Sequence, residues 1–461
     1  MKEITCISPV DGSVVARRNC ASDAEIAATL AAARNAQREW AATPLAERKA
    51  KMLEFLAAMQ AQNDEIVPEL AMQMGRPVRF GGELRSLEER VRALVALSDE
   101  ALAPIEPTAK AGFRRVIKRT PAGLVFVIAP WNYPYLTAVN SIVPALLAGN
   151  AVILKHAAQT LLAGERFQAA MDRAGLPKHL FTTLTLDHDA TLRLIASRSV
   201  DHVSFTGSVE GGKAMERAAA GTFTSLGLEL GGKDPAYVRA DADFDYAVEN
   251  LVDGAFYNSG QSCCGVERIY VHEALYDRFV SAFADLSARY VLGDPRDQTT
   301  TLGPMASARL AGIVRAHTAD AVAKGARPLV DAARFAADRV GTPYLMPQVL
   351  VGVDHTMRVM MEESFGPVVG IMKVQSDETA LQLMNDSPYG LTASIWSKDA
   401  AAAERIGDRI ATGTVFLNRC DYIDPQLAWT GVKDTGRGAS MSRLGFEALT
   451  RPKSFHLRIE H

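Results

Sequence analysis

Apolar residues recur at helical spacing through residues 24–40 and 45–62, in Ala-rich stretches carrying Leu, Ile, Met and Trp. That spacing predicts two amphipathic helices. Thr43–Pro44 separates them and supplies a helix start. A third helical stretch, rich in Glu and Arg, covers about 82–102 and stops before Pro104. Residues 104–120 then alternate between polar and apolar, which predicts an extended hairpin arm.

From residue 121 the pattern changes to short apolar runs alternating with helical segments. Strands are predicted at 124–129, 151–154, 180–186, 202–206 and 225–230, with helices near 136–147, 161–174, 189–197 and 209–219. Such βαβα alternation predicts a parallel sheet covered by helices, with ligands at the strand C-termini. A second α/β series follows Gly231–Gly232. Its strands are predicted near 267–272, 368–374, 392–396 and 414–417. Its helices fall near 243–257, 274–288, 306–324, 377–385 and 399–409. Residues 419–443 read as a long structured loop, and 453–459 as a final strand. The fold class is α/β.

Composition changes this picture little. The 461 residues are 48% hydrophobic and 22% charged, ordinary for a globular protein with room for two or three domains. A net charge of −3 gives no electrostatic reason to expect nucleic acid or an anionic membrane as partner. The basic run Lys110, Arg114, Arg115, Lys118, Arg119 is interleaved with Phe113, Val116 and Ile117, as in a solvated strand edge. Apolar runs are too short to span a bilayer. Five cysteines without CxxC spacing argue against a disulfide framework and a zinc site. A reduced, cytoplasmic protein without metal is expected.

Several polar residues occupy costly positions. Cys263 and Cys264 follow Tyr257–Asn258–Ser259–Gly260–Gln261–Ser262. A cysteine pair in such a turn is a nucleophile with its neighbour, half a metal site, or buried packing. Adjacent side chains point to different sides, so one cysteine at most is the nucleophile. Asn132 lies between Trp131 and Tyr133 and between Pro130 and Pro134, which fix its amide as a turn cap or as an oxyanion donor. Lys155 ends a predicted strand and faces the crevice or solvent. Gly207 and Ser208 open the helix at 209, whose N–H groups suit a diphosphate, although Gly207-x-x-x-Gly211-Gly212 is not the GxGxxG pattern. Glu229, within Leu226, Leu228 and Leu230, suits a general base or a structural ion pair. Glu363 stands before Phe365–Gly366–Pro367 as a positioned or a merely solvated carboxylate.

Taken in order, these segments resemble the aldehyde dehydrogenase superfamily over nearly the whole chain. The matching segments are Pro130–Pro134, Leu154–Lys155, Phe205–Ser208, Leu228–Lys233, Asn258–Cys263, Glu363–Pro367 and Gly431–Gly436. The resemblance implies Cys263 as nucleophile, Glu229 as general base, and an oxyanion hole made by Asn132 and the Cys263 N–H. It also implies that NAD or NADP binds through Lys155 (adenosine ribose), Gly207 and Ser208 (diphosphate) and Glu363 (nicotinamide ribose), with Trp131 and Phe365 lining the channel. The implied architecture is a Rossmann-type nucleotide domain (1–103 and 121–230), an α/β catalytic domain (231–450) and a β oligomerisation arm (104–120 and 451–461). A homodimer or homotetramer is the implied assembly.

The implied reaction oxidises a small-molecule aldehyde to its acid through a thiohemiacetal and a thioester on cysteine. Where NAD-preferring relatives often carry Glu, this chain has Ala158, so repulsion of a 2′-phosphate is gone and NADP is expected to be tolerated. Lys155–His156–Ala157 also occurs in semialdehyde dehydrogenases, making a succinate-semialdehyde-like substrate the alternative. No arginine pair for its carboxylate stands out in the sequence. A further alternative, acyl transfer to CoA, does not need the base that Glu229 supplies.

Overall fold

The computed structural model describes residues 2–460 and contains two large, mostly parallel sheets flanked by helices. The first takes the order Gly436–Arg437, Ser225–Glu229, His202–Thr206, Leu124–Ile128, Ala151–Lys155, Phe181–Thr183. All five strands other than Gly436–Arg437 are parallel. Strand order reverses between Leu124–Ile128 and His202–Thr206, the switch point beyond whose C-terminal ends open α/β sheets bind ligands. The loops that leave these two strands carry Trp131–Asn132 and Gly207–Ser208. Leu124–Ile128 is buried along its whole length, so its continuous apolar run is what a doubly covered strand requires.

The second sheet has the order Arg327–Pro328, Gln348–Val351, Val368–Val374, Val266–His272, Asp234–Val238, Thr392–Trp396, Thr414–Leu417. Its inner strand Asp234–Val238 is absent from the pattern-based expectation. Asp234–Pro235 directly after Gly–Gly–Lys reads locally as a turn, and only burial inside the sheet makes it a strand. The helix Asn63–Met74 is likewise unpredicted, because Pro68 interrupts its pattern. The N-terminal hairpin Glu3–Ile7/Val14–Asn19 is unpredicted too.

The predicted helices are present with shifted ends, as Asp23–Ala42, Leu45–Gln60 and Leu84–Ala101. Ser22 and Glu25 form a reciprocal capping box at the first of them. The strand expected over 180–186 is only Phe181–Thr183.

Residues 104–120 fold back on themselves through the antiparallel bridge Ile105–Ile117, whose N–H groups each donate to the other's carbonyl at 2.9 Å, and Phe113–Pro121 also pairs antiparallel with Thr450–Arg458 over nine residues of each strand. One expectation changes. The stretch 419–443 is not wholly a loop, and Gly436–Arg437 pairs with Leu228 and Glu229 at the edge of the first sheet. Met441, Phe446 and Leu449 pack into the same core as Leu124–Ile128. Part of 231–450 thus completes the first sheet rather than the second.

One close backbone approach joins the helical layer to the second sheet. Gly75 ends Asn63–Met74 with φ +82°, and a Cβ there would collide with the Pro304 carbonyl. Gly303 faces it, and its own Cβ would collide with the Gly75 carbonyl. The same segment receives the Ser259 hydroxyl at the Gly303 carbonyl (2.8 Å), and its Ala306 N–H donates to Gln261 Oε1 (2.8 Å). The segment leading into Cys263 is therefore tied to this crossing at two points. Gly75→Ala is expected to cost at least about 2 kcal/mol, from the left-handed conformation and the collision together. Urea unfolding would measure this, and an unchanged midpoint would contradict it.

Candidate active site

The cysteine turn follows helix Phe244–Phe256 and precedes strand Val266–His272. Asn258 (φ +52°) and Ser259 (φ +58°) are left-handed, a cost held in place by side-chain bonds. Asn258 Nδ2 donates to the carbonyls of Asn132 (3.2 Å) and Gln261 (3.3 Å). The Asn132 amide donates to the same Gln261 carbonyl at 3.2 Å. Asn132 and the turn that carries Cys263 are thereby brought together, from opposite sheets. The Cys263 N–H has no acceptor among the described residues.

Cys263 is half-buried at the wall of a cavity of about 390 Å³, with Tyr133, Leu136, Tyr257 and Ile423 among its neighbours. Cys264 is buried, and its thiol donates to Asp421 Oδ1 at 3.1 Å. Ser262 donates to the same oxygen at 2.6 Å. The hydrogen bond to Cys263, burial and the Asp421 charge hold the Cys264 thiol well above its ordinary value. Cys264 is thus a poor thiolate.

Arg76 organises this region, and its role was not visible in the sequence. Its side chain is 3% exposed and pairs with Glu83, 2% exposed, at 2.6 Å. Arg76 also donates to the Asn132 carbonyl (2.7 Å) and to Asn258 Oδ1 (3.2 Å), and lies over the Tyr133 ring at 4.8 Å. The second Glu83 oxygen accepts the N–H groups of Tyr135 (2.9 Å) and Leu136 (2.7 Å), at the start of helix Pro134–Leu147. A carboxylate there satisfies two N–H groups the helix leaves free. His156, whose pKa burial lowers to about 4, is neutral and contacts the Pro134 carbonyl at 3.1 Å. It joins the end of strand Ala151–Lys155 to the Asn132 loop.

Glu229 is not bonded to Cys263. It accepts the Thr206 hydroxyl at 3.4 Å and lines a small adjoining pocket with Asn140, His202, Ser204 and Ser440. The strand Ser225–Glu229 directs it there, beneath the edge strand Gly436–Arg437. Burial pushes its carboxyl above the ordinary 4.5, partly offset by Ser440, Arg90 and Thr206.

The remaining expected residues lie around the C-terminal strand ends of the first sheet. Lys155 ends its strand, and burial lowers its pKa. The Ser208 hydroxyl caps helix Val209–Ala219 by accepting the Gly211 N–H at 3.2 Å. A Cβ at Gly207 or Gly211 would press on the Phe205 ring at 2.7 Å, so glycine lets that ring pack against the helix start, whose free N–H groups suit an anion. Trp131 and Phe365 meet edge-on, with centroids 5.6 Å apart.

Glu363 accepts the Gly232 N–H at 3.0 Å and rests against Gly231, where any Cβ would strike it. Burial and the neighbouring Glu267 charge push its carboxyl up to about 8. Glu267 accepts the N–H groups of Ser364 (2.8 Å) and Phe365 (2.9 Å) and is paired with buried Lys233, which together fix the loop. Neither Lys233 nor Glu267 was singled out from the sequence. The helix start and the flanking lysine and aromatic pair fit a dinucleotide. No group of three or more His, Cys, Asp or Glu among the described residues is arranged to hold a metal ion.

Residues 1–455 match the aldehyde dehydrogenase family model. The chain belongs to the aldehyde dehydrogenase family. It is 33% identical over 425 residues to the succinate semialdehyde dehydrogenase [NAD(P)+] Sad of Escherichia coli (strain K12), covering 92% of this chain and 91% of that protein. It is 32% identical to geranial dehydrogenase of Castellaniella defragrans (strain DSM 12143 / CCUG 39792 / 65Phen), covering 93% and 90%. Among solved structures it superposes on succinic semialdehyde dehydrogenase from Streptococcus pyogenes in complex with NADP+, with TM-score 0.93 and 28% identity, over 99% of this chain and 100% of that one. The expected class, an NAD(P)-dependent aldehyde dehydrogenase, is therefore established for this family member.

Glu83→Gln leaves the Arg76 charge buried and uncompensated. It is expected to destabilise the protein by about 3–5 kcal/mol. Chemical denaturation measures the loss, and a change below about 1 kcal/mol would contradict the hub assigned to this pair.

Proposed function

We propose that Cys263 is the nucleophile of an aldehyde oxidation that ends in hydrolysis. The observation that carries this is the pairing of Asn132 with the cysteine turn through the Gln261 carbonyl. The Cys263 thiolate adds to the aldehyde carbon, forming the C–S bond of a thiohemiacetal. The Asn132 amide and the Cys263 N–H hold the oxyanion. When bound, the nicotinamide of NAD or NADP accepts the hydride that leaves that carbon. A thioester remains on Cys263.

Glu229 takes a proton from water, whose oxygen attacks the thioester and releases the acid and the thiolate. Its pocket neighbours the cavity of Cys263 through Arg90, which lines that cavity and bonds Asn140 of the pocket, and Glu229 acts on the water from that side. A base retained in a buried site favours hydrolysis over transfer to CoA.

Lys155 holds the adenosine ribose, Gly207 and Ser208 the diphosphate, and Glu363 the nicotinamide ribose, with Trp131 and Phe365 along the channel. Ala158 is exposed just beyond Lys155 and places no carboxylate against a 2′-phosphate, so both cofactors are accepted. Relatives named as succinate-semialdehyde dehydrogenases support a semialdehyde as substrate. Residues 1–103 and 121–230 serve the nucleotide and 231–450 the chemistry. In the arm (104–120 and 451–461), the paired strand Thr450–Arg458 keeps an exposed outer edge that suits pairing between copies in a homodimer or homotetramer. A reducing, cytoplasmic setting suits five unpaired cysteines.

Cys263→Ala should abolish oxidation while Cys264→Ala retains it, measured as NAD(P)H formation. The reverse outcome would transfer the role to Cys264. Because Glu229 acts as a base only when deprotonated, and burial raises its pKa, turnover should fall as pH drops through a value above 4.5. Glu229→Gln should slow turnover by about 100-fold or more and remove that acid limb.

A further inference from the structure

The cavity in front of Cys263 contains a buried cation without a counter-ion. Three arginines line it: Arg76, Arg85 and Arg90. Arg76 is neutralised by Glu83, and Arg85 is exposed at the mouth. Arg90 is only 7% exposed, and no carboxylate oxygen among the described residues lies within 4.0 Å of its guanidinium. Its nearest acidic groups, Glu83, the two thiols and Glu229, act on it only through space.

The hydrogen bonds of Arg90 use one nitrogen alone. Nη1 donates to the Leu136 carbonyl (2.8 Å) and to Asn140 Oδ1 (3.0 Å). Nε and Nη2 donate to no described residue, yet neither is sealed from open space. The Nε–Nη2 edge is the side of a guanidinium that meets both oxygens of a carboxylate at once. Two anchors on Nη1 therefore fix the plane of the group and leave its carboxylate-matching edge unclaimed. An enclosed charge of this kind is costly to keep without a partner.

The carboxylates around the site do not fill the role: Glu89, Asp253 and Asp421 also line the cavity, but none pairs with Arg90, and Asp421 is taken by Ser262 and Cys264. Glu229 is held at Thr206 in the adjoining pocket. Glu83 spends one oxygen on Arg76 and the other on two backbone N–H groups. The remaining approach is from the cavity, where a substrate with its carbonyl at Cys263 must place its other end. Arg90 lies one helical turn beyond Ser86, which also lines the cavity, about 6 Å further along the axis. We propose that Arg90 is the specificity-determining residue that grips, through Nε and Nη2, the carboxylate of a short aldehyde bearing an acid group at its far end. This rests on Cys263 being the nucleophile.

The test compares succinate semialdehyde with butanal, which has the same four carbons and no charge. The wild-type protein should prefer the semialdehyde in kcat/KM. Arg90→Met should raise its KM by about 10- to 100-fold, the worth of a charged hydrogen-bond pair, and leave butanal turnover within about 3-fold at a pH well above the Glu229 limb, which loss of the Arg90 charge moves upward. Arg90→Lys, which keeps the charge without the fork, should fall between. Equal losses for both aldehydes, or a preference that survives Arg90→Met, would overturn the assignment. Should Arg90→Met fail to fold, the wild-type preference and Arg90→Lys carry the test, and absence of that preference overturns it. Failure of the underlying reading looks different: Cys263→Ala would then retain turnover, whatever the selectivity.

Discussion

The buried ion pair between Arg76 and Glu83 is the constraint on which the site depends. Removing two charges from water is expensive, and the expense is offset here only because every strong acceptor and donor is used. Arg76 reaches the main chain of Asn132 and the side chain of Asn258, while Glu83 caps the helix that begins at Pro134. One pair thus fixes the Asn132 loop, the cysteine turn and a helix start relative to each other. Its role is in geometry rather than in bond making, since neither residue has a free edge toward Cys263.

A second constraint acts at the backbone. The crossing of Gly75 and Gly303 sits beside Arg76 in the chain and beside the bonds that Ser259 and Gln261 make to residues 303–306. Ion pair and crossing support the same turn from two sides. The left-handed residues Asn258 and Ser259 therefore stay in a conformation that an isolated peptide would leave. Cys263 and Cys264 emerge from this turn into different surroundings. The first meets a cavity and the second meets Asp421.

Much of the fold was legible because apolar periodicity is local. Strands such as Leu124–Ile128 and helices such as Leu84–Ala101 announce themselves within a few residues. Cys263, Asn132 and Glu363 were legible for a related reason, as each sits in a short segment whose glycines, prolines or aromatics are needed on the spot. Arg76, Glu83 and Arg90 were not legible. In the chain they read as ordinary charged residues in or near a helix, and only packing against segments 50 or more positions away buries them. Asp234–Val238 failed for the same reason, since a strand that begins Asp–Pro is made by its neighbours in the sheet. The position of Glu229 beneath Gly436–Arg437 likewise needed a contact across more than 200 residues.

The central claim is that an acyl group passes through Cys263 and leaves through water activated by Glu229. The most direct measurement is rapid mixing of the Glu229→Gln variant with aldehyde and cofactor, followed by acid quench and peptide mass spectrometry. Carrying Cys264→Ala in the same chain removes ambiguity between the neighbours. The account predicts that an acyl thioester accumulates on Cys263, approaching one per chain, and decays slowly. An unmodified Cys263 during a normal burst of NAD(P)H would contradict it.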